Sequence, residues 1–175
     1  MATTSTPQPA PTNETKWLDD AEQQAWRSFV NGARRLLGQL DAELKVSGIS
    51  HDDYGVLVLL SEAPDDRLRM SDLADGVVES RSRLSHHISR LEKRGLVVRE
   101  ACPEDGRGSW AVLTTEGRAL MERVAPHHVA GVRRWFLDQI SAEQLSTIGD
   151  AFSTIDRGLL GGGTADPATS GSDTN

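Results

Sequence analysis

From Trp17 to Leu44 apolar residues return every three or four positions: Trp17/Leu18, Ala21, Ala25, Phe29, Ala33, Leu36/Leu37, Leu40 and Leu44. That spacing keeps one helix face apolar for about eight turns, and a helix so long needs a partner along its length. A second helix is expected from Ser50. Asp53 stands three residues further on, as in a capping box, and Ile49 and Tyr54 are placed for a hydrophobic staple. Its Val56–Leu60 run is apolar nearly all round and reads as core. The helix stops at Ala63-Pro64-Asp65, after which Arg67–Arg69 can form a short strand and Ser71 can cap a short helix, SDLADGVV.

Ser80 then opens a helix ending at Gly95. Leu84, Ile88 and Leu91 fall on one stripe, while Arg81, Ser82, Ser85, His86 and Ser89 face away. Gly95 just past the last helical residue, with Leu96 set against Leu91, fits a Schellman stop. The buried stripe is narrow and the opposite face small, polar and basic, as a helix lying in a groove requires. Two β-prone runs, LVVREAC and SWAVL, joined by PEDGRG, predict a hairpin. Thr114 or Thr115 next caps a long helix reaching Ile140, with Pro126 placed to kink it. Ser141 with Gln144 forms a further capping box and Ile140 with Leu145 a further staple. The last helix is expected to bury Leu145, Ile148, Phe152 and Ile155. No internal repeat is present.

Charge changes this picture. The 175-residue chain carries a formal net charge of −7. Between Ser80 and Arg99, however, Arg81, Arg83, Arg90, Lys93, Arg94 and Arg99 face one acid, Glu92; that stretch is +5, leaving −12 elsewhere. A basic island in an acidic body is the footprint of a nucleic-acid reader whose bulk repels DNA elsewhere. The longest apolar run, Val56–Leu60, is too short to cross a bilayer. MATTSTPQPAPTNET lacks the basic start and apolar stretch of a secretory signal and reads, like GGGTADPATSGSDTN, as a disordered tail. With a single cysteine, Cys102, no internal disulfide framework is possible, and a reducing, cytoplasmic setting is expected.

Two short helices followed by a hairpin make a winged helix-turn-helix, a mainly α fold with a small β-wing. Its second helix enters the major groove, where arginine can bond guanine bidentately and Ser, Thr and His reach phosphates or single base atoms. Arg107, between two glycines at the hairpin tip, is placed to enter a narrow minor groove, whose potential attracts guanidinium. Asp105, two residues before it, can brace it with a bidentate pair.

These residues resemble the MarR family of bacterial transcriptional regulators. The family's wing pattern, Asp-x-Arg, five residues, then Leu-Thr, matches Asp105, Arg107, Leu113 and Thr114. Its recognition-helix exit matches Leu91, Glu92, Gly95, Leu96, Val97 and Arg99. The similarity spans about residues 16 to 160. It implies a homodimer with the first and last helices of each chain interlocked, and a double-stranded, pseudo-palindromic operator with half-sites about 10 bp apart. On this reading 16–48 with 115–160 form the helical dimerisation region and 49–114 the DNA-binding domain, between tails 1–15 and 161–175. The DNA contacts are expected from Ser80, Arg81, Ser82, Arg83, Ser85, His86, Ser89, Arg90, Asp105 and Arg107, with Arg81 or Arg83 nearest a base edge. Trp17, Phe29, Trp135, Phe136, Leu145, Ile148, Phe152 and Leu159 are the candidate dimer interface, in competition with ordinary intrachain core.

The resemblance further implies release from DNA by a small aromatic or phenolic effector, for which Trp26, Phe29, Tyr54 and Leu57 are candidate lining residues; core packing accounts for them equally well. Cys102 reads as a packing residue, with a redox-responsive regulator as the alternative. Its neighbours Glu100 and Glu104 disfavour the thiolate. His86 and His87 diverge by about 100° around a helix and are poorly placed to share a metal, and no Cys/His/carboxylate cluster has ligand spacing here or at His127–His128. No metal or cofactor is expected. Neither a nucleophile triad, a phosphate-cradling loop nor a carboxylate pair points to an enzyme. A winged-helix adaptor that binds protein instead of DNA is the remaining class, and it would not need the basic island.

Overall fold

A computed structural model describes residues 15–102 and 108–161. Asp105, Arg107 and the tails, apart from Thr15 and Gly161, lie outside the described residues. The chain divides into two compact units, Met1–Arg35 and Leu36–Asn175.

The first helix, α1, runs from Asp20 to Val46. It begins after Trp17 and Leu18, because Asp19 and Glu22 close a reciprocal box: each backbone N–H donates to the other's carboxylate, at 2.9 and 2.8 Å. Trp17 and Leu18 therefore precede the helix and are exposed. Ser50 caps α2 (His51–Glu62) through the expected box with Asp53, and Ile49 and Tyr54 are both buried beside it.

Strand β1 (Arg67–Arg69) stands where the sequence placed it. Helix α3 (Met70–Gly76) starts one residue before Ser71, with Arg69 at the cap position and no side-chain cap. Ser71 instead donates to Asp72 at 3.0 Å. Helix α4 (Arg81–Lys93) is capped by Ser80. It ends in the Schellman arrangement: Leu96 N–H bonds Leu91 C=O at 3.0 Å and Gly95 N–H bonds Glu92 C=O at 2.9 Å. Gly95 sits at φ +70, where a side chain would be strained.

Strands β2 (Val97–Ala101) and β3 (Ser109–Leu113) form the hairpin, and β1 adds to the other edge of β3, giving the antiparallel order β1-β3-β2. Val97 pairs with Leu113 and Arg69 with Trp110. Alternation then puts Val97, Ala111 and Leu113 toward the core, and Arg67, Arg69, Trp110, Val112, Val98 and Glu100 on the opposite face.

Leu57, Leu60, Leu73, Leu84, Ile88, Leu91 and Val124 are all fully buried in one cluster that α2, α3, α4, the sheet and α5 (Thr115–Trp135) share. Each such side chain contributes roughly 1.5–3 kcal/mol. Thr114 caps α5 by accepting from Gly117 N–H at 3.0 Å, and its hydroxyl donates to Gly95 C=O at 2.7 Å. One side chain thus starts a helix and fastens the end of another.

Helix α5 passes through Pro126 and ends at Trp135, five residues before Ile140. Phe136 leaves the helical basin (φ −131, ψ −66) and a 3-10 turn, Leu137–Gln139, follows. Gln139 stabilises that exit by donating to Arg134 C=O at 2.9 Å. The Ser141–Gln144 box then opens α6 (Ala142–Gly161), both bonds formed. Contrary to expectation, α6 buries nothing against its own chain: Leu145, Phe152 and Ile155 are exposed, and Ile148 is half-buried.

Candidate nucleic-acid interface

Helix α4 is divided lengthwise. Leu84, Ile88 and Leu91 are fully buried and His87 nearly so, whereas Arg81, Ser82, Arg83, Ser85, His86 and Arg90 are exposed. The adjacent histidines part as their spacing requires, His86 outward and His87 inward. Ser80 accepts from Arg83 N–H at 3.3 Å, which keeps the first turn intact while its arginines stay in solvent.

The basic island is less uniform than its composition implies. Arg99, on β2, donates to Glu92 at 2.8 Å, to Ser89 Oγ at 3.2 Å and to Ser85 C=O at 2.6 Å. It ties the hairpin to α4, occupies the Ser85 and Ser89 hydroxyls in part, and leaves Ser89 half-buried. Arg94 donates to Asp53 at 3.1 Å and to Gly48 C=O at 2.7 Å. Arg81, Arg83, Arg90 and Lys93 remain on the exposed surface; Arg83 lies 3.5 Å from Glu79 and Arg90 3.8 Å from Asp53. Glu92 and Arg99, which the sequence shows only as part of the recognition-helix exit, form the first brace. Nothing at the sequence level joins Arg94 to Asp53, 41 residues away.

Beneath the helix lies an unanticipated buried ionic cluster. His87 Nε2 is 2.8 Å from Asp53 Oδ1, and its Nδ1 is 3.5 Å from Glu79 Oε2. That Glu79 oxygen is buried with no hydrogen-bond partner among the described residues. The hydrogen bond to Asp53 raises the His87 pKa above its ordinary 6.5, against the opposing effect of burial, and the carboxylates of Asp53 and Glu79 add to the rise. For Asp53 burial acts upward, but the bonds from His87 and Ser50 outweigh it and hold the carboxyl below its ordinary value.

Since the folded His87 pKa exceeds the unfolded one, its contribution is fully present below pH 6.5 and fades as pH rises through the folded value. Asp53, shifted the other way, loses its contribution only as pH falls below 3.8. Thermal melting between pH 6 and 9 should therefore show stability falling with pH, and His87→Gln should flatten that slope; an equal slope in both proteins would mean that His87 is not the group responsible.

A cavity of about 380 Å³ is lined by the C-terminal end of α1 (Glu43, Leu44, Val46) and by α5 (Val124, His127, His128, Arg134). None of the four predicted effector residues lines it: Tyr54 and Leu57 are buried in the core, and Trp26 and Phe29 are exposed on α1, their rings 5.8 Å apart. Cys102 is buried and its N–H bonds Gly108 C=O at 3.1 Å. The described residues contain no group of three or more His, Cys, Asp or Glu arranged to hold a metal, and no helix long and apolar enough to cross a membrane.

This architecture has close counterparts. The MarR family model matches residues 47–108. AbsC, a MarR family transcriptional regulator from Streptomyces coelicolor, is 48% identical, with a TM-score of 0.81 over 84% of this chain and 99% of that one. The chain belongs to the MarR family of transcriptional regulators. Sco3205, another MarR family transcriptional regulator from Streptomyces coelicolor, whose structure was solved in complex with DNA, is 42% identical, with a TM-score of 0.82 over 90% of this chain and 97% of that one. The transcriptional repressor YetL of Bacillus subtilis is 29% identical over 141 residues, 79% of this chain and 84% of its own length. The helix order and three-stranded sheet of this MarR protein are those of a winged helix.

Proposed function

We propose that this MarR-family regulator is a homodimeric repressor that binds a pseudo-palindromic duplex through residues 49–114, dimerises through 16–48 and 115–160, and is released by a small ligand. The observation that carries the DNA reading is the division of α4. Arg81, Ser82, Arg83, His86 and Arg90 share the exposed side, and Leu84, His87, Ile88 and Leu91 the buried one. In that arrangement Arg81 or Arg83 reads a base edge, Ser80, Ser82 and Arg90 hold phosphates, and Arg107, steadied by Asp105, enters the neighbouring minor groove. Ser85 and Ser89 contribute less freely, since Arg99 already engages them.

Dimerisation is supported by large apolar side chains on the surface. Trp17, Phe29, Trp135, Leu145, Phe152 and Leu159 are all exposed, with Phe136 and Ile148 half-buried. An acidic surface gains nothing from exposing such residues unless a second copy covers them. The cavity between α1 and α5 is of a volume typical for small ligands and supports an effector there more than one at Tyr54 and Leu57. The burial of Cys102 favours packing over redox sensing.

Arg107→Ala should weaken duplex binding by about 1–3 kcal/mol while leaving the dimer intact. Fluorescence anisotropy with a labelled duplex, paired with sedimentation, measures both. Unchanged affinity would remove the wing from the interface.

A further inference from the structure

The buried ionic cluster also connects outward. Each of its carboxylates is shared between the His87 ring and an arginine on the exposed side of α4. Glu79, in the turn before α4, holds Oε2 3.5 Å from His87 Nδ1 and Oε1 3.5 Å from Arg83 Nε. Asp53, on α2, holds Oδ1 2.8 Å from His87 Nε2 and 3.8 Å from Arg90. The His87 side chain is only 3% exposed, whereas those of Arg83 and Arg90 are 72% and 64% exposed. The inner contacts are therefore dry, and the outer ones are long, wet and readily surrendered to another anion.

Protonation of His87 decides how the two carboxylates are shared. The imidazolium offers an N–H from each ring nitrogen, one toward Asp53 and one toward Glu79. The neutral ring keeps a single N–H, and its other nitrogen turns a lone pair toward a carboxylate. Asp53 and Glu79 then draw more on Arg90 and Arg83, while Arg94 stays on the other oxygen of Asp53. A phosphate competing for those guanidinium groups meets more resistance. The coupling is reciprocal: DNA that draws Arg83 and Arg90 outward leaves the buried carboxylates to His87, which then holds its proton more tightly. Asp53, Glu79 and Arg90 are the charged groups acting on the ring, and the hydrogen bond to Asp53, with the charges of both acids, already keeps its pKa above 6.5. Any loss of affinity therefore falls on the alkaline side of that value.

We infer that His87 is a positioning residue for DNA binding: as a cation it occupies Glu79 and Asp53 and leaves Arg83 and Arg90 to the duplex, and as a neutral ring it returns those arginines to the carboxylates. Binding is thereby coupled to one buried proton beneath the reading helix. The inference rests on the reading of α4 as the DNA-binding surface.

The test is fluorescence anisotropy of a rhodamine-labelled, mixed-sequence duplex between pH 6.0 and 8.5, at fixed low ionic strength. The native affinity should fall as pH rises, by up to about tenfold per pH unit, the limit for one proton. His87→Gln should flatten that dependence. A slope as steep in His87→Gln as in the native protein would overturn the coupling and leave His86, exposed on the same helix, as the titrating group. If His87→Gln fails to fold, Glu79→Gln carries the test. It frees Arg83 from its carboxylate and should bind more tightly than the native protein, with a larger gain at pH 8.5 than at pH 6.0. An equal gain at both pH values would mean only that an acid near the DNA had been removed, and would overturn the coupling. A native affinity that does not change with pH would overturn the coupling alone. A native protein that binds no duplex even at pH 6.0 would overturn the underlying DNA reading as well.

Discussion

Asp53→Ala should lower the free energy of unfolding by roughly 3–5 kcal/mol, the usual cost of removing one partner from a buried charge pair. Asp53 is the hub of the winged domain. Its carboxylate receives His87 at 2.8 Å and Arg94 at 3.1 Å, and it completes the capping box that starts α2. Without it, the His87 ring is left buried with Glu79, 3.5 Å away, to balance its charge among the described residues, and Arg94 keeps Gly48 C=O of those two anchors. Denaturant titration of both proteins measures the loss, and a double-mutant cycle with His87→Gln apportions it. A change below about 1 kcal/mol would mean that the cluster is satisfied by other groups.

Gly117→Ala should also be severe, despite an intrinsic helix preference for alanine of about 1 kcal/mol. A Cβ at Gly117 would collide with Leu96 C=O and stand 2.8 Å from Leu113 Cδ1. The carbonyl cannot rotate away without breaking its bond from Thr114 N–H, at 3.1 Å. Steric cost therefore wins, and a net loss of about 1–3 kcal/mol is expected. Gly38, on α1, is the control. Nothing lies within 4 Å of its added Cβ, so Gly38→Ala should be neutral or stabilising by up to about 1 kcal/mol. Similar melting temperatures for the two variants would show that the joint between α5 and the α4–β2 turn yields more readily than its geometry implies.

Much of the winged domain was legible in the sequence because its punctuation is local. Ser50 with Asp53, Ser80, Gly95, Thr114 and Ser141 with Gln144 each act within a few residues, and all form the caps their spacing predicts. Where a boundary depended on something else, pattern alone missed it. The start of α1 follows from Asp19 and not from the apolar Trp17–Leu18 pair, and the end of α5 follows from Phe136 and the side chain of Gln139.

At the candidate site the division of α4 was readable from its period, but its electrostatics was not. Six basic residues looked equivalent as a charge count; Arg94 and Arg99 are committed to Asp53 and Glu92, and only the folded geometry separates them from Arg81 and Arg83. The apolar stripe of α6 was read as buried because period reveals that a face is apolar without revealing which chain covers it. The sharing of Asp53 and Glu79 between His87 and the exposed arginines escaped notice for a similar reason. His87 and Asp53 stand 34 residues apart in sequence and meet only in the fold.

The most direct measurement is selection of duplexes from a random pool by the purified full-length protein at fixed ionic strength. Two copies reading DNA through α4 and the wing should enrich a pseudo-palindrome with half-sites about 10 bp apart, centre to centre. Enrichment of a single asymmetric site, or of no site, would contradict it.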